Sequence, residues 1–300
     1  MDKIIKDTEY GYTEMQSAIK RLCGEYEFLR RDIIGKSVLG RDITALKIGR
    51  GEEYVLLAAA FHGSERLTTN LLLKFTEDIC FALKSGEPLG GYKISRALSG
   101  RGVIIIPRVN PDGAEISLYG AASAGKMAND VIKSARGKTE KWNANARGID
   151  INHNFNADWQ NVKNAERAAG ILVPGPSKFG GYHPASEPET LAVTGVCLTH
   201  NIRHALAFHS QGEVIYADCG KIKPARMQKI AEILSSSSGY EIASPEGTAV
   251  GGGFKDWFIE RFSRPAFTVE MGKGENPLPV SDIESIYNRL LEMLILSIAM

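Results

Sequence analysis

Several things are scarce in this sequence, and each scarcity closes off a class of protein. Charge of neither sign is in excess: 36 basic and 35 acidic side chains leave a formal net charge of +1. That argues against a polyanion-binding surface of high overall charge, and no nucleic-acid partner is expected. Long hydrophobic runs are missing. No segment reaches the roughly 20 apolar residues of a membrane span. The longest clean run is residues 55–61, and the stretch 290–300 is interrupted by Glu292 and Ser297. The opening Met1-Asp2-Lys3-Ile4-Ile5-Lys6-Asp7 lacks the apolar core of a secretory signal, so a cytoplasmic location is expected. Cysteine is sparse and scattered. Cys23, Cys80, Cys197 and Cys219 form no CxxC pair, which excludes a disulfide framework and a cysteine-based zinc site. Cys80 and Cys197 sit in apolar helical patterns and read as small core residues. There is no G-x-G-x-x-G opening a βαβ unit, no Walker A lysine pattern and no G-x-S-x-G elbow.

What remains is an ordinary globular composition, 43% apolar and 24% charged over 300 residues. Such a chain can bury a sizeable core. Without internal repeats, low-complexity tracts or a Pro/Ser-rich linker, it reads as one domain over residues 1–300. Helical spacing is expected at 14–29, 65–83, 225–234 and 282–299, and strands at 43–48, 54–60, 103–106, 205–208, 213–217 and 266–269. A further helix opens at 183–189, where Ser186 and Glu189 have capping-box spacing. Residues 110–156 form a polar stretch too long for an ordinary connection and read as a functional loop region. Strands alternating with helices predict an α/β fold: a mixed, mostly parallel central sheet with helices on both faces. Ligands in such folds gather at the carboxyl ends of the central strands.

Four polar clusters lie where that rule points. His62 and Glu65 follow the apolar strand 54–60 at a spacing of three. His209 ends the strand 205–208. Alone, each histidine is more economically a core imidazole satisfied by backbone. Two histidines and a glutamate, all at strand ends, shift the balance toward a His₂Glu zinc site with water as fourth ligand. Glu270 ends the strand 266–269 and faces a glycine-rich loop. It is either a solvated or salt-bridged strand end, or a general base for a metal-bound water. The fourth cluster, 143–155, is dense in Asn and contains Arg147. Its side chains serve turns, or they hold a substrate carboxylate or an oxyanion.

Taken in order, these clusters resemble the zinc carboxypeptidase family. The carrying residues are His62/Glu65, Asn110-Pro111-Asp112-Gly113, the Asp-x-Asn-x-Asn-Phe run at 150–155, His209-Ser210 and Glu270. Gly40-Arg41-Asp42-Ile43 looks like the family's opening strand, and Gly252-Gly253-Phe254-Lys255-Asp256-Trp257 like its Gly-Gly…Asp-Trp segment. Residues 209–216 and 272–279 look most like the bacterial γ-D-glutamyl-meso-diaminopimelate peptidases, which cut cell-wall peptides.

The resemblance implies one Zn²⁺ held by His62, Glu65 and His209. Glu270 becomes the base that activates water and then protonates the leaving amine. Asn152 helps bind the substrate carboxylate, while Ser210 and Asp256 lie beside the site without a catalytic role. The implied partner is a muropeptide-like peptide, met inside the cell as a recycled or precursor fragment or in a spore compartment. Loops at 110–143 and 155–183 are expected to line its groove.

Three positions depart from the family pattern. Asn152-His153 stands where the family has Asn-Arg, so carboxylate recognition becomes pH-dependent. For the arginine that steadies the oxyanion, Arg147 is nearest in sequence and Asn143 nearer in spacing. Thr248 occupies the place of the mobile tyrosine. Two other readings stay open: a zinc amidohydrolase or deacylase acting on small N-acyl amino acids, and a degenerate site that only binds muropeptides.

Overall fold

The computed structural model describes residues 3–220, 222–244 and 251–300. Its framework is one eight-stranded mixed sheet. In chain order the strands are β1 (Arg30–Lys36), β2 (Asp42–Gly49), β3 (Glu53–Ala59), β4 (Arg101–Ile106), β5 (Ile202–His209), β6 (Val214–Tyr216), β7 (Glu241–Ala243) and β8 (Ala266–Glu270). They lie in the spatial order β1-β2-β4-β3-β5-β8-β6-β7. The pairs β3/β4, β3/β5, β5/β8 and β6/β7 are parallel, and β1/β2, β2/β4 and β6/β8 are antiparallel.

The helices are α1 (Tyr12–Glu25), α2 (Leu67–Ser85), α3 (Ile94–Ala97), α4 (Pro111–Tyr119), α5 (Ala128–Ala135), α6 (Trp159–Ala168), α7 (Pro188–Thr199), α8 (Met227–Ser238), α9 (Phe254–Phe262) and α10 (Ile283–Ala299). Residues 55–59 of β3 are buried at every position, as are 204–209 of β5. A strand with no exposed side must be covered on both faces, which explains its unbroken apolar run. Among the described residues, no helix is long and apolar enough to cross a membrane. All four cysteines are unpaired, with Cys80 and Cys197 in the core as their pattern predicts.

Several local expectations need correction. The stretch 110–156 is not one loop: it contains α4 and α5. Pro111 starts α4 without needing an N–H, and the Asn110 side chain accepts a hydrogen bond from Gly113 N at 2.9 Å. The 155–183 segment holds α6. No capping box forms at Ser186: α7 starts at Pro188, Ser186 Oγ donates to Glu187 Oε1, and the Glu189 carboxylate accepts from Val38 N. The first helix ends at Glu25 rather than 29, because β1 follows. That strand escaped notice because it is an exposed edge with an irregular register between Ile33 and Gly35, so it shows no alternation.

Candidate metal centre

Parallel register brings the chemistry together. Ala59 of β3 pairs with Phe208 of β5, and His209 of β5 pairs with Glu270 of β8. The carboxyl ends of three adjacent central strands therefore lie level. After β3 the chain turns sharply through 61–66, with Glu65 N bonded to His62 O, before α2 begins at Leu67. That turn folds the side chains of His62 and Glu65 over the end of β5.

The turn depends on close backbone approach. A Cβ at Gly63 would lie 2.3 Å from Gly113 O and 2.5 Å from Trp142 O. Asn110 Nδ2 donates to both Phe61 O and Asn143 O at 3.1 Å, stitching the turn to α4 and to the 143–155 loop. The Asn110-Pro111-Asp112-Gly113 motif is thus structural. Asp112 accepts from Ser37 Oγ, Leu39 N and Arg41 Nη1.

His62, Glu65 and His209 each offer one atom to a common point, with all three atoms within 4.8 Å of one another. His62 Nδ1 is 2.9 Å from Glu65 Oε1, and His209 Nδ1 is 3.0 Å from Glu65 Oε2 and 3.3 Å from His62 Nδ1. Behind His62, Nε2 lies 3.1 Å from Asp150 Oδ1. A carboxylate there holds the ring proton on Nε2 and turns the Nδ1 lone pair inward. The His209 ring stacks on Phe61 with centroids 5.3 Å apart, and Phe155 and Phe254 extend the aromatic floor. Two inward nitrogens and a carboxylate at such separations fit a cation with a preference for N and O donors, and the set matches a catalytic zinc site.

Burial raises the energy of a charged Glu65, but attraction to His62 and His209 wins and holds its carboxyl well below the usual range. Asp150 is likewise buried, and His62 is the largest of the influences that hold it low. Glu270 goes the other way: burial first, then repulsion from Glu65, push its carboxyl well above the usual range.

Asn143 is half-buried beside the metal turn, where Ser64 Oγ donates to its Oδ1 at 2.5 Å and Gly63 N to its backbone carbonyl. Asn152 is half-buried and accepts from Phe254 N at the start of α9. His153 is buried, with Nδ1 3.6 Å from Glu166 Oε1 on α6. Arg147 is not brought to the ligands. It is exposed, pairs with Glu187 at 3.2 Å, and lines an open depression of about 440 Å³ with Trp142, Lys133 and Pro174. Ser210 Oγ donates to Asn276 Oδ1, while Asp256 pairs with the buried Lys255. Thr248 lies outside the described residues.

Asp150 is the residue beside the cluster that sequence reasoning left without a role. Its signal was present, as the one carboxylate in an Asn-rich run, but its partner stands 88 positions away. The remaining histidines serve elsewhere. His204 bonds Ser297 O in the core, His200 contacts Val196 O and Lys47, and His183 is exposed.

The fold and the site together define a metallopeptidase of the carboxypeptidase type. The zinc carboxypeptidase family profile matches residues 15–293, and the chain belongs to that family. It is 35% identical over 285 residues to γ-D-glutamyl-L-diamino acid endopeptidase 1 of Lysinibacillus sphaericus, covering 94% of this chain and 70% of that protein. It is 31% identical to the uncharacterised YqgT of Bacillus subtilis, over 93% of this chain and 74% of that one. Bovine thrombin-activatable fibrinolysis inhibitor shares the fold with a TM-score of 0.73 at 19% identity, covering 98% of this chain and 97% of that one. The chain is a zinc peptidase, and His62, Glu65 and His209 form a cluster that could hold a metal ion.

Proposed function

We propose that this peptidase hydrolyses the amide bond between γ-D-glutamate and meso-diaminopimelate in peptidoglycan-derived peptides. The observation that carries the reading is the relative of that specificity class, 35% identical along 94% of the chain. The site geometry is consistent with it. When bound by His62, Glu65 and His209, zinc supplies Lewis-acid polarisation of the scissile carbonyl and makes water a nucleophile near neutral pH.

The chain's own residues do the rest. Glu270, level with His209 at the neighbouring strand end, takes a proton from the attacking water. Hydroxyl adds to the carbonyl carbon, the C–N bond breaks, and the same carboxyl returns its proton to the departing nitrogen. Asp150 keeps the His62 ring in the tautomer that faces the metal. Asn152 and His153 hold the free carboxylate of the substrate. Asn143, beside the metal turn, is the better donor to the developing oxyanion, because Arg147 is engaged by Glu187.

Incubation of zinc-loaded protein with L-Ala-γ-D-Glu-meso-diaminopimelate, read by mass spectrometry, tests this. Free diaminopimelate is expected, and it should vanish on chelation. Zinc-loaded protein that leaves the tripeptide intact while cleaving other amides would overturn the assignment.

A further inference from the structure

Glu166 is a carboxylate with no exposed surface, on a helix whose outer face is polar. Such a group is costly unless every oxygen has a partner. Oε2 pairs with Lys163, one turn back on α6, and Oε1 accepts from Gly180 N at 2.9 Å. Lys163 is held in turn by Gly181 O at 2.8 Å and by the Phe179 ring, 4.2 Å below its ammonium. These contacts satisfy the carboxylate and keep it ionised: burial opposes the charge, but His153, Lys163 and Gly180 N together hold the carboxyl below its usual range.

The remaining approach to Oε1 is occupied by His153. Its Nδ1 is sealed from solvent, makes no hydrogen bond among the described residues, and sits 3.6 Å from that oxygen. Nε2 has no protein partner among the described residues. The backbone of His153 is clamped. A Cβ on Gly180 would lie 2.3 Å from His153 O, and one on Gly252 would lie 3.3 Å from it. The backbone that carries the ring is therefore held close to the loop bearing Gly180, whose N–H also bonds Glu166. Among the described residues, the charged groups around the ring are Glu166 and Lys163 on α6 and Asp150 on its own segment.

We propose that Glu166 is a positioning residue for His153: its carboxylate holds the ring proton on Nδ1 and balances a positive charge on the imidazole, so that Nε2 presents an N–H to the free carboxylate of the substrate. This rests on the carboxylate-binding role assigned to His153 above. Lys163 offsets one unit of the carboxylate's charge, but it does so from the far oxygen. Among the described residues, the near oxygen meets a neutral N–H and the ring. With the imidazole protonated, the three side chains carry one net positive charge, as a single guanidinium would.

The test has two arms. In the first, ¹⁵N-histidine NMR of the zinc-loaded protein without substrate reads which ring nitrogens of His153 carry protons. Glu166→Gln, nearly isosteric, is expected to remove the proton from Nδ1; a His153 ring spectrum unmoved by the substitution overturns the proposal.

The second arm is kinetic. At neutral pH Glu166→Gln should raise KM for the tripeptide about tenfold with kcat little changed. A loss of kcat independent of pH would show a purely structural role and overturn the proposal. In the His153→Arg background, where charge is permanent, Glu166→Gln should leave KM unmoved. Should Glu166→Gln fail to fold, with Lys163 left unpaired, the pair Lys163→Met and Glu166→Gln replaces it in both arms. If the protein cleaves no muropeptide, the first arm still reads the charge of His153. If it cleaves the tripeptide with KM indifferent to Glu166, this proposal falls and the peptidase reading stands.

Discussion

The Nε2 of His62 lies 3.1 Å from Oδ1 of Asp150, and both side chains are tied into the same loop junction. Asp150 also accepts from Asn152 N at 3.1 Å and Lys178 N at 2.7 Å, so its carboxylate cannot rotate away. Replacing Asp150 by Asn removes the charge that fixes the His62 tautomer. Zinc affinity, measured by competition with a chelating dye, should fall roughly 10- to 100-fold. Unchanged affinity would mean that His62 is oriented by its own packing alone.

Glu270 makes no hydrogen bond to the ligand cluster, although its strand neighbour His209 belongs to it. Glu270→Gln should therefore lower kcat by about 10²–10⁴-fold while the zinc content per chain stays the same by elemental analysis. Loss of zinc in this variant would make Glu270 a ligand rather than a base.

Metal removal should cost stability as well as activity. Two imidazoles and a carboxylate are held within 4.8 Å, and a cation that binds only the folded chain stabilises it by mass action. Dialysis against a chelator should lower the melting temperature, and stoichiometric zinc should restore it. A melting temperature indifferent to zinc would mean that the site does not bind it appreciably.

The turn bearing two of the ligands should tolerate no side chain at Gly63. The obstructing atoms are backbone carbonyls of Gly113 and Trp142, which have little freedom to move. Gly63→Ala should destabilise the fold by more than about 2 kcal/mol, read by urea denaturation, and should weaken zinc binding with it.

His204, inside β5, supplies a pH dependence independent of the metal centre. Burial pushes its pKa down to about 4, while Nε2 bonds Ser297 O at 2.8 Å. The unfolded chain binds the proton near the ordinary 6.5, so between these values it holds more protons than the native state. Stability is complete above about 6.5 and is lost as pH falls toward about 4, by on the order of 3 kcal/mol in all. His204→Gln should flatten that limb of a urea-midpoint profile. An equally steep limb in the variant would assign the acid sensitivity to other groups.

Local pattern carried much of the architecture. The apolar runs of β3, β4, β5 and β8 mark strands buried on both faces, and polar residues mark where each run ends. That is why His62, Glu65, His209 and Glu270 could be picked out along the chain before any contact was known. Elements with little apolar surface to bury were invisible. β1 is an exposed, irregular edge, and α6 buries only Val162 and the charged Glu166. Ser186 and Glu189 had the right spacing for a cap, but the buried Glu189 is drawn instead to Val38 N and to Asn145 Nδ2, at 3.1 and 3.2 Å.

By itself, the amino-acid sequence determined the α/β class, the family and the residues at the strand ends, because hydrophobic periodicity and motif order are properties of neighbouring residues. Tertiary structure alone decided the rest. It set the parallel register that places His209 within 3.3 Å of His62, 147 positions apart. It also turned Arg147 toward Glu187, set Asp150 behind His62 and placed Glu166 against His153. A buried polar side chain takes whichever partner the packing brings within reach, and that choice is made across the whole chain.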